Sequence, residues 1–370
     1  MRTAVLAFSL VLVAAGQPAT AATQPHLRPL WTVSAGPQER QITGAAISGR
    51  TLVRASTLYR GYKHPTGELR RYDAGTGADL GGIASAPGWM FGTVAGVDGR
   101  ILVQAREPSG GAQLRSYTWK GKLQWQQAAP GEAFAAGSVL VASGGDQVRA
   151  IEVASGKVRW SVTAEGDSGT SAPVLAGDRV LRAGATADGF VLSALDERTG
   201  AVRWRADGSG TRVVVAGDTA VTVGAGGTCA FALATGERRW CAFQPAREAI
   251  AAGGTLFVVE DGYLTALGRT DGSLQWRRSY QRRDAQTSTS YWTPVARGGV
   301  LYAVVYHYAP SAANPARRHR HELLAVSAAH GHVLRRIDVP MPYEVGGEPL
   351  LLTRSAVYFA TLADLFAWSR

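Results

Sequence analysis

A glycine followed four residues later by a tryptophan recurs along this chain, in phrases such as AIEVASGKVRW, ALDERTGAVRW, AFALATGERRW and ALGRTDGSLQW. Seven segments align on that glycine, at Gly77, Gly121, Gly156, Gly200, Gly236, Gly272 and Gly331. Tryptophan follows as Trp125, Trp160, Trp204, Trp240 and Trp276, whereas Gly81 and Arg335 stand in the other two copies. Six residues before the glycine comes Ala150, Ala194, Ala230, Ala266 or Ala325, beside an apolar residue such as Ile151, Leu195 or Phe231. A sequence that repeats in this way builds one small structural unit many times and buries a core between neighbouring copies.

Each column has a physical reason. An apolar strand ends, a polar residue such as Ser155, Thr199 or Asp271 precedes the glycine, and the chain turns back. Glycine tolerates the positive φ that a bulged hairpin turn requires. The tryptophan then lies on the returning strand, where a large flat ring can cover a neighbouring sheet. Upstream of each joint lie two more short strands, as in EAIAAGGTLFVVEDGYLTAL, split by glycine-rich turns. No segment sustains helical periodicity. Residues in the tryptophan column fall at 31, 81, 125, 160, 204, 240, 276 and 335, a mean step of about 43 residues that suits a four-stranded propeller blade. Trp31 has no strands before it, while PLLLTRSAVYFATLADLFAWSR supplies three strands and no returning one. The expected fold is all-β: eight four-stranded antiparallel blades, with the strand around Trp31 completing the last sheet. Closure would also remove exposed sheet edges between the chain's two ends.

ALDERTGAVRW resembles, nearly letter for letter, the hallmark Ala-x-Asp-x-x-Thr-Gly-x-x-x-Trp of the pyrroloquinoline-quinone-type (PQQ-type) propeller repeat. The resemblance implies that the tryptophans, Trp31 included, dock blade against blade and that the repeated phrase is a joint rather than a reaction centre. That superfamily holds both quinone-dependent dehydrogenases and cofactor-free scaffolds. The dehydrogenases bind the quinone over a calcium held by Glu, Asn and Asp, beside a disulfide between adjacent cysteines. This chain has no Cys-Cys pair, and its one asparagine, Asn314, sits in a polar insertion. Neither PQQ nor calcium, and no enzymatic activity, is therefore expected. Length and architecture are similar to those of the BamB-like branch, which implies an exported scaffold with protein partners. The alternatives are a quinone dehydrogenase, revealed by dye reduction after reconstitution, and a cell-wall glycan-binding module with Tyr291-Trp292 as an aromatic platform.

Residues 1–21 read as an export signal. Arg2 carries the positive charge, Ala4–Ala15 is apolar, and Ala19-Thr20-Ala21 fits a cleavage site. The expected mature chain is one propeller domain over 22–370. It would follow the general secretion route to the periplasm or the exterior, without a cysteine-linked lipid anchor. The formal charge is +11, which points to acidic protein partners rather than nucleic acid in an exported monomer.

Four local signals remain. GDSGTS at 166–171 resembles a serine-protease segment, but no histidine lies between His64 and His307 to serve as its base. It falls where a linker between blades belongs. Five of the seven histidines, His307, His319, His321, His330 and His332, cluster late in the chain, where Arg317, Arg318 and Arg320 oppose a bound cation. A solvated basic loop over 307–322 is the expectation, with no metal. Together with Arg277, Arg278, Arg282 and Arg283 it would form a basic face for an acidic partner. Cys229 and Cys241 lie six residues either side of Thr235, which makes them facing partners on paired strands and a disulfide in an oxidising compartment.

Overall fold

The computed structural model describes residues 27–34, 40–59, 64–129, 131, 133–137, 139–144, 146–164, 166, 172–281, 289–291, 293–308, 319–339, 350–360 and 364–369. Alternating apolar positions and glycine turns give short strands, and these pair into eight antiparallel sheets. Blade 1 spans 40–87, blade 2 90–128, blade 3 133–163, blade 4 174–207, blade 5 212–242, blade 6 248–278 and blade 7 289–339. Blade 8 takes Leu351–Leu352, Ala356–Ala360 and Asp364–Ser369 from late in the chain and adds Pro29–Ser34 as its outer strand. Trp31 pairs with Ala367, Val33 with Leu365 and Ser34 with Asp364. First strands of neighbouring blades touch, so these strands gather around the axis. Among the described residues, no helix is long and apolar enough to cross a membrane.

The core is divided among the seams. Eight clusters of buried side chains each mix two adjacent blades, and together they fill every seam, including the one between blades 8 and 1, where Leu365 and Tyr358 meet Ile42 and Tyr72. Burial of apolar area, at about 25 cal/mol per Å², therefore acts between blades rather than within them. That is why one sheet alone has no core.

Blade 7 departs from the expectation in two ways. Its first strand is split, with Thr289–Tyr291 and Val295–Arg297 both pairing with Val300–Tyr308. The polar insertion is also shorter than 307–322. Val300–Tyr308 and His319–Ser327 form a long hairpin arm, and His307, His321 and Glu322 are buried in it. At its two described ends, 307–308 and 319–322, the run is paired strand rather than loop. Arg317, Arg318 and Asn314 lie outside the described residues, as do Arg282, Arg283, Trp292, the export signal and most of GDSGTS.

Candidate functional site

The repeated joints form a chain of identical contacts. Indole Nε1 of Trp31 donates to Ala74 O, Trp125 to Val153 O, Trp160 to Glu197 O, Trp204 to Leu233 O, Trp240 to Arg269 O and Trp276 to Ala328 O, at 2.8–3.1 Å. Each acceptor belongs to the turn of the next blade. The same rings lie on Gly77, Gly156, Gly200, Gly236, Gly272 and Gly331, where an added Cβ would sit 2.5–2.7 Å from the indole. Those glycines also hold φ between +69° and +77°, so both backbone and space exclude a side chain. The alanine column has its reason here too. Ala150, Ala194, Ala230 and Ala266 pair directly with Trp160, Trp204, Trp240 and Trp276, and a bulge follows each pair. A small partner leaves the ring free to lean onto the next sheet.

Two seams lack the tryptophan. Between blades 1 and 2, the backbone of Ile83 approaches Gly121 so closely that a Cβ there would lie 1.8 Å from its oxygen. Arg71 Nη1 reaches Trp119 O at 3.3 Å across the same seam. Between blades 7 and 8, Phe359, Phe366 and Trp368 stack with centroids 4.9–5.4 Å apart and fill the space that Arg335 leaves.

A second column of polar side chains went unread in the sequence. Second strands carry buried polar residues that grip a crossover, the one entering their blade in three cases and the one leaving it for Gln104. Arg54 reaches Ser34 O, Gln104 Nε2 donates to Gly131 O, Arg182 donates to Gly166 O, and Thr222 accepts from both the N–H and the hydroxyl of Ser209. Backbone groups buried under a loop need such partners. Gly166, the first residue of the protease-like run, is one of these crossovers.

Three arginines of the expected basic face are described, and two of them are occupied by carboxylates. Arg277 pairs with Glu260 at 2.6 Å and lies 3.9 Å over the Tyr263 ring. Arg320 pairs with Asp338 at 2.8 Å. Arg278 is exposed and donates to Arg277 O, with no carboxylate partner among the described residues. Glu322 accepts from Arg336 and lies 3.1 Å from His307 Nε2. His330 and His332 are exposed and stacked at 6.0 Å, whereas His321 packs on Tyr306.

Cys229 and Cys241 are bonded across paired strands of blade 5, with Cα atoms 4.1 Å apart. They line an open cleft of 640 Å³ between blades 4 and 5, together with Phe190, Asp188, Asp207, Arg238 and Phe243. Phe243 is 81% exposed beside it.

Two overlapping stretches, residues 65–248 and 187–344, match the model of the family described as outer membrane protein assembly factor BamB. The chain belongs to this family. Among solved structures it is similar to BamB from Moraxella catarrhalis, with a TM-score of 0.69 at 15% identity, covering 93% of this chain and 100% of that one. No curated protein sequence matches it. Among the described residues, no three His, Cys, Asp or Glu side chains stand together to hold a cation, and a hard cation needs several converging oxygens.

One carboxylate of the ring is tuned by burial. Glu248, at the start of blade 6, pairs with Arg212 of blade 5 at 2.8 Å. Burial outweighs the arginine and pushes its carboxyl up to about 7, from 4.5. A raised carboxyl stabilises the fold below the unfolded value and loses that contribution as pH rises through the folded one. Stability should fall between pH 4.5 and about 7, by on the order of 3 kcal/mol. Glu248→Gln should remove this slope, which melting curves at pH 5 and pH 7.5 for both proteins will show.

Proposed function

We propose that this chain is an exported, non-enzymatic propeller that works as a protein-interaction scaffold at the cell envelope, with acidic partner proteins. The observation that carries the reading is the family match over residues 65–344, to a family described by outer membrane protein assembly. The charge of +11 and the export-type residues 1–21 support the address and the partner chemistry. In the described frame buried polar side chains such as Arg182 and Thr222 are spent on crossovers, which suits a rigid platform. Arg278 and the neighbouring Arg282 and Arg283 are the proposed centre of the basic docking face.

In-cell crosslinking of the full-length protein, followed by identification of the partners, tests this. Arg278→Glu with Arg282→Glu and Arg283→Glu should lower recovery of the main partner at least tenfold. Unchanged recovery would refute the basic face. Retention on purified cell wall with no crosslinked protein would refute the scaffold.

A further inference from the structure

The blade 5 cystine belongs to the seam core of blades 4 and 5 and also borders a cleft between them. Its strands do not depend on it, since Thr228 pairs with Ala242 and Ala230 with Trp240 on either side of the bond. The turn above it is built from Gly224, Gly226 and Gly227, pulled against the crossover so tightly that a Cβ on Gly224 would lie 2.5 Å from Gly210 Cα. A cleft of 640 Å³ lies between blades 4 and 5, with Gly226, Cys229 and Cys241 in its lining. Cys229 is 7% exposed and Cys241 is half-buried, so Cys241 is the more exposed residue of the pair. Arg238 brings a positive charge to the lining, while Asp188 and Asp207 bring negative ones.

We infer that Cys229–Cys241 is a thiol-exchange site, opened by a dithiol entering the cleft between blades 4 and 5 while the ring stays folded. The dithiol's thiolate attacks Cys241 Sγ, forming a mixed disulfide, and Cys229 leaves as a thiolate that takes a proton from water. The second thiol, once deprotonated, attacks the mixed disulfide and releases Cys241. Two electrons pass from the dithiol, which ends as a disulfide, to the cystine, which ends as two thiols. Cys229 stays in place afterwards because its backbone N–H donates to Ser209 Oγ at 3.1 Å, and that hydroxyl is itself bonded to Thr222. Arg238 favours the approaching thiolate, and Asp188 and Asp207 oppose it.

Full-length protein is treated with dithiothreitol under native conditions, quenched by alkylation at timed intervals and mapped by peptide mass. Both cysteines should become alkylated at a rate first-order in dithiol and unchanged from 0 to 1 M urea. Reaction through whole-ring unfolding would instead accelerate by about a hundredfold per molar. Arg238→Glu should slow the reaction several-fold and Asp207→Asn should speed it. The reduced ring should melt about 4 °C lower, as should Cys229→Ser with Cys241→Ser. A rate that saturates in dithiol or climbs steeply with urea overturns the inference. So does a cystine that resists reduction until the ring melts.

Discussion

Gly200→Ala should lower the unfolding free energy by about 2–4 kcal/mol, far more than the same change at Gly253, at about 1 kcal/mol. Both glycines hold positive φ, +74° and +61°, so both substitutions carry the conformational penalty. At Gly253 an added Cβ meets nothing within 4 Å. At Gly200 it meets Trp160 at 2.7 Å and Val162 at 3.0 Å. The difference between the two measures the seam itself. Trp160→Ala should cost about 3–5 kcal/mol, since it removes a ring that is 8% exposed and its 2.8 Å bond to Glu197 O. In the Trp160→Ala background, Gly200→Ala should fall back to the Gly253 value, because the clash has gone. Urea denaturation of the four proteins gives that coupling directly. Additive effects would mean that the tryptophan and the glycine do not form one joint.

Deleting Asp364–Ser369 should abolish cooperative unfolding and leave the chain aggregated or protease-sensitive. That strand is the middle of the closing sheet, paired on one side with Pro29–Ser34 and on the other with Ala356–Ala360. It carries Leu365, Phe366, Ala367 and Trp368, each 3% exposed or less. Losing Phe366 and Trp368 alone removes about 3–5 kcal/mol each, a sum comparable to the whole stability of an ordinary domain. The N-terminal strand would then have no neighbour, and the seams on both sides of blade 8 would open. A truncated protein with an unchanged melting temperature would show that the ring does not need closing. Limited proteolysis and a melting curve are the readouts.

The joints were legible in the sequence because they repeat. ALDERTGAVRW shows its turn, its glycine and its ring at once, and the Asp196 of that phrase accepts from the Arg198 and Thr199 N–H groups to fix the turn. Bonds from Arg203 and Thr199 hold that carboxyl well below the usual carboxylate range. Arg54 and Arg182 were not legible. Alternation along a strand shows that a side chain faces a neighbouring blade, but the groups that satisfy these guanidinium heads come from crossovers or strands far away in sequence. The same limit explains Arg277, which reads as a surface charge and is spent on Glu260, and His307 and His321, which read as loop residues and are buried. The two seams without tryptophan were visible only as gaps in a column. What fills them, a close backbone approach at Gly121 and an aromatic stack at Trp368, follows no repeat.

The claim beneath all of this is that the two distant segments share one sheet. Ser34→Cys combined with Asp364→Cys places thiols at paired positions whose native side chains lie 2.5 Å apart. Mild oxidation of the folded monomer should join the two peptides in a single intramolecular link, found by mass mapping beside the native cystine. Free thiols at both positions after oxidation, or links formed only between molecules, would contradict the closed ring.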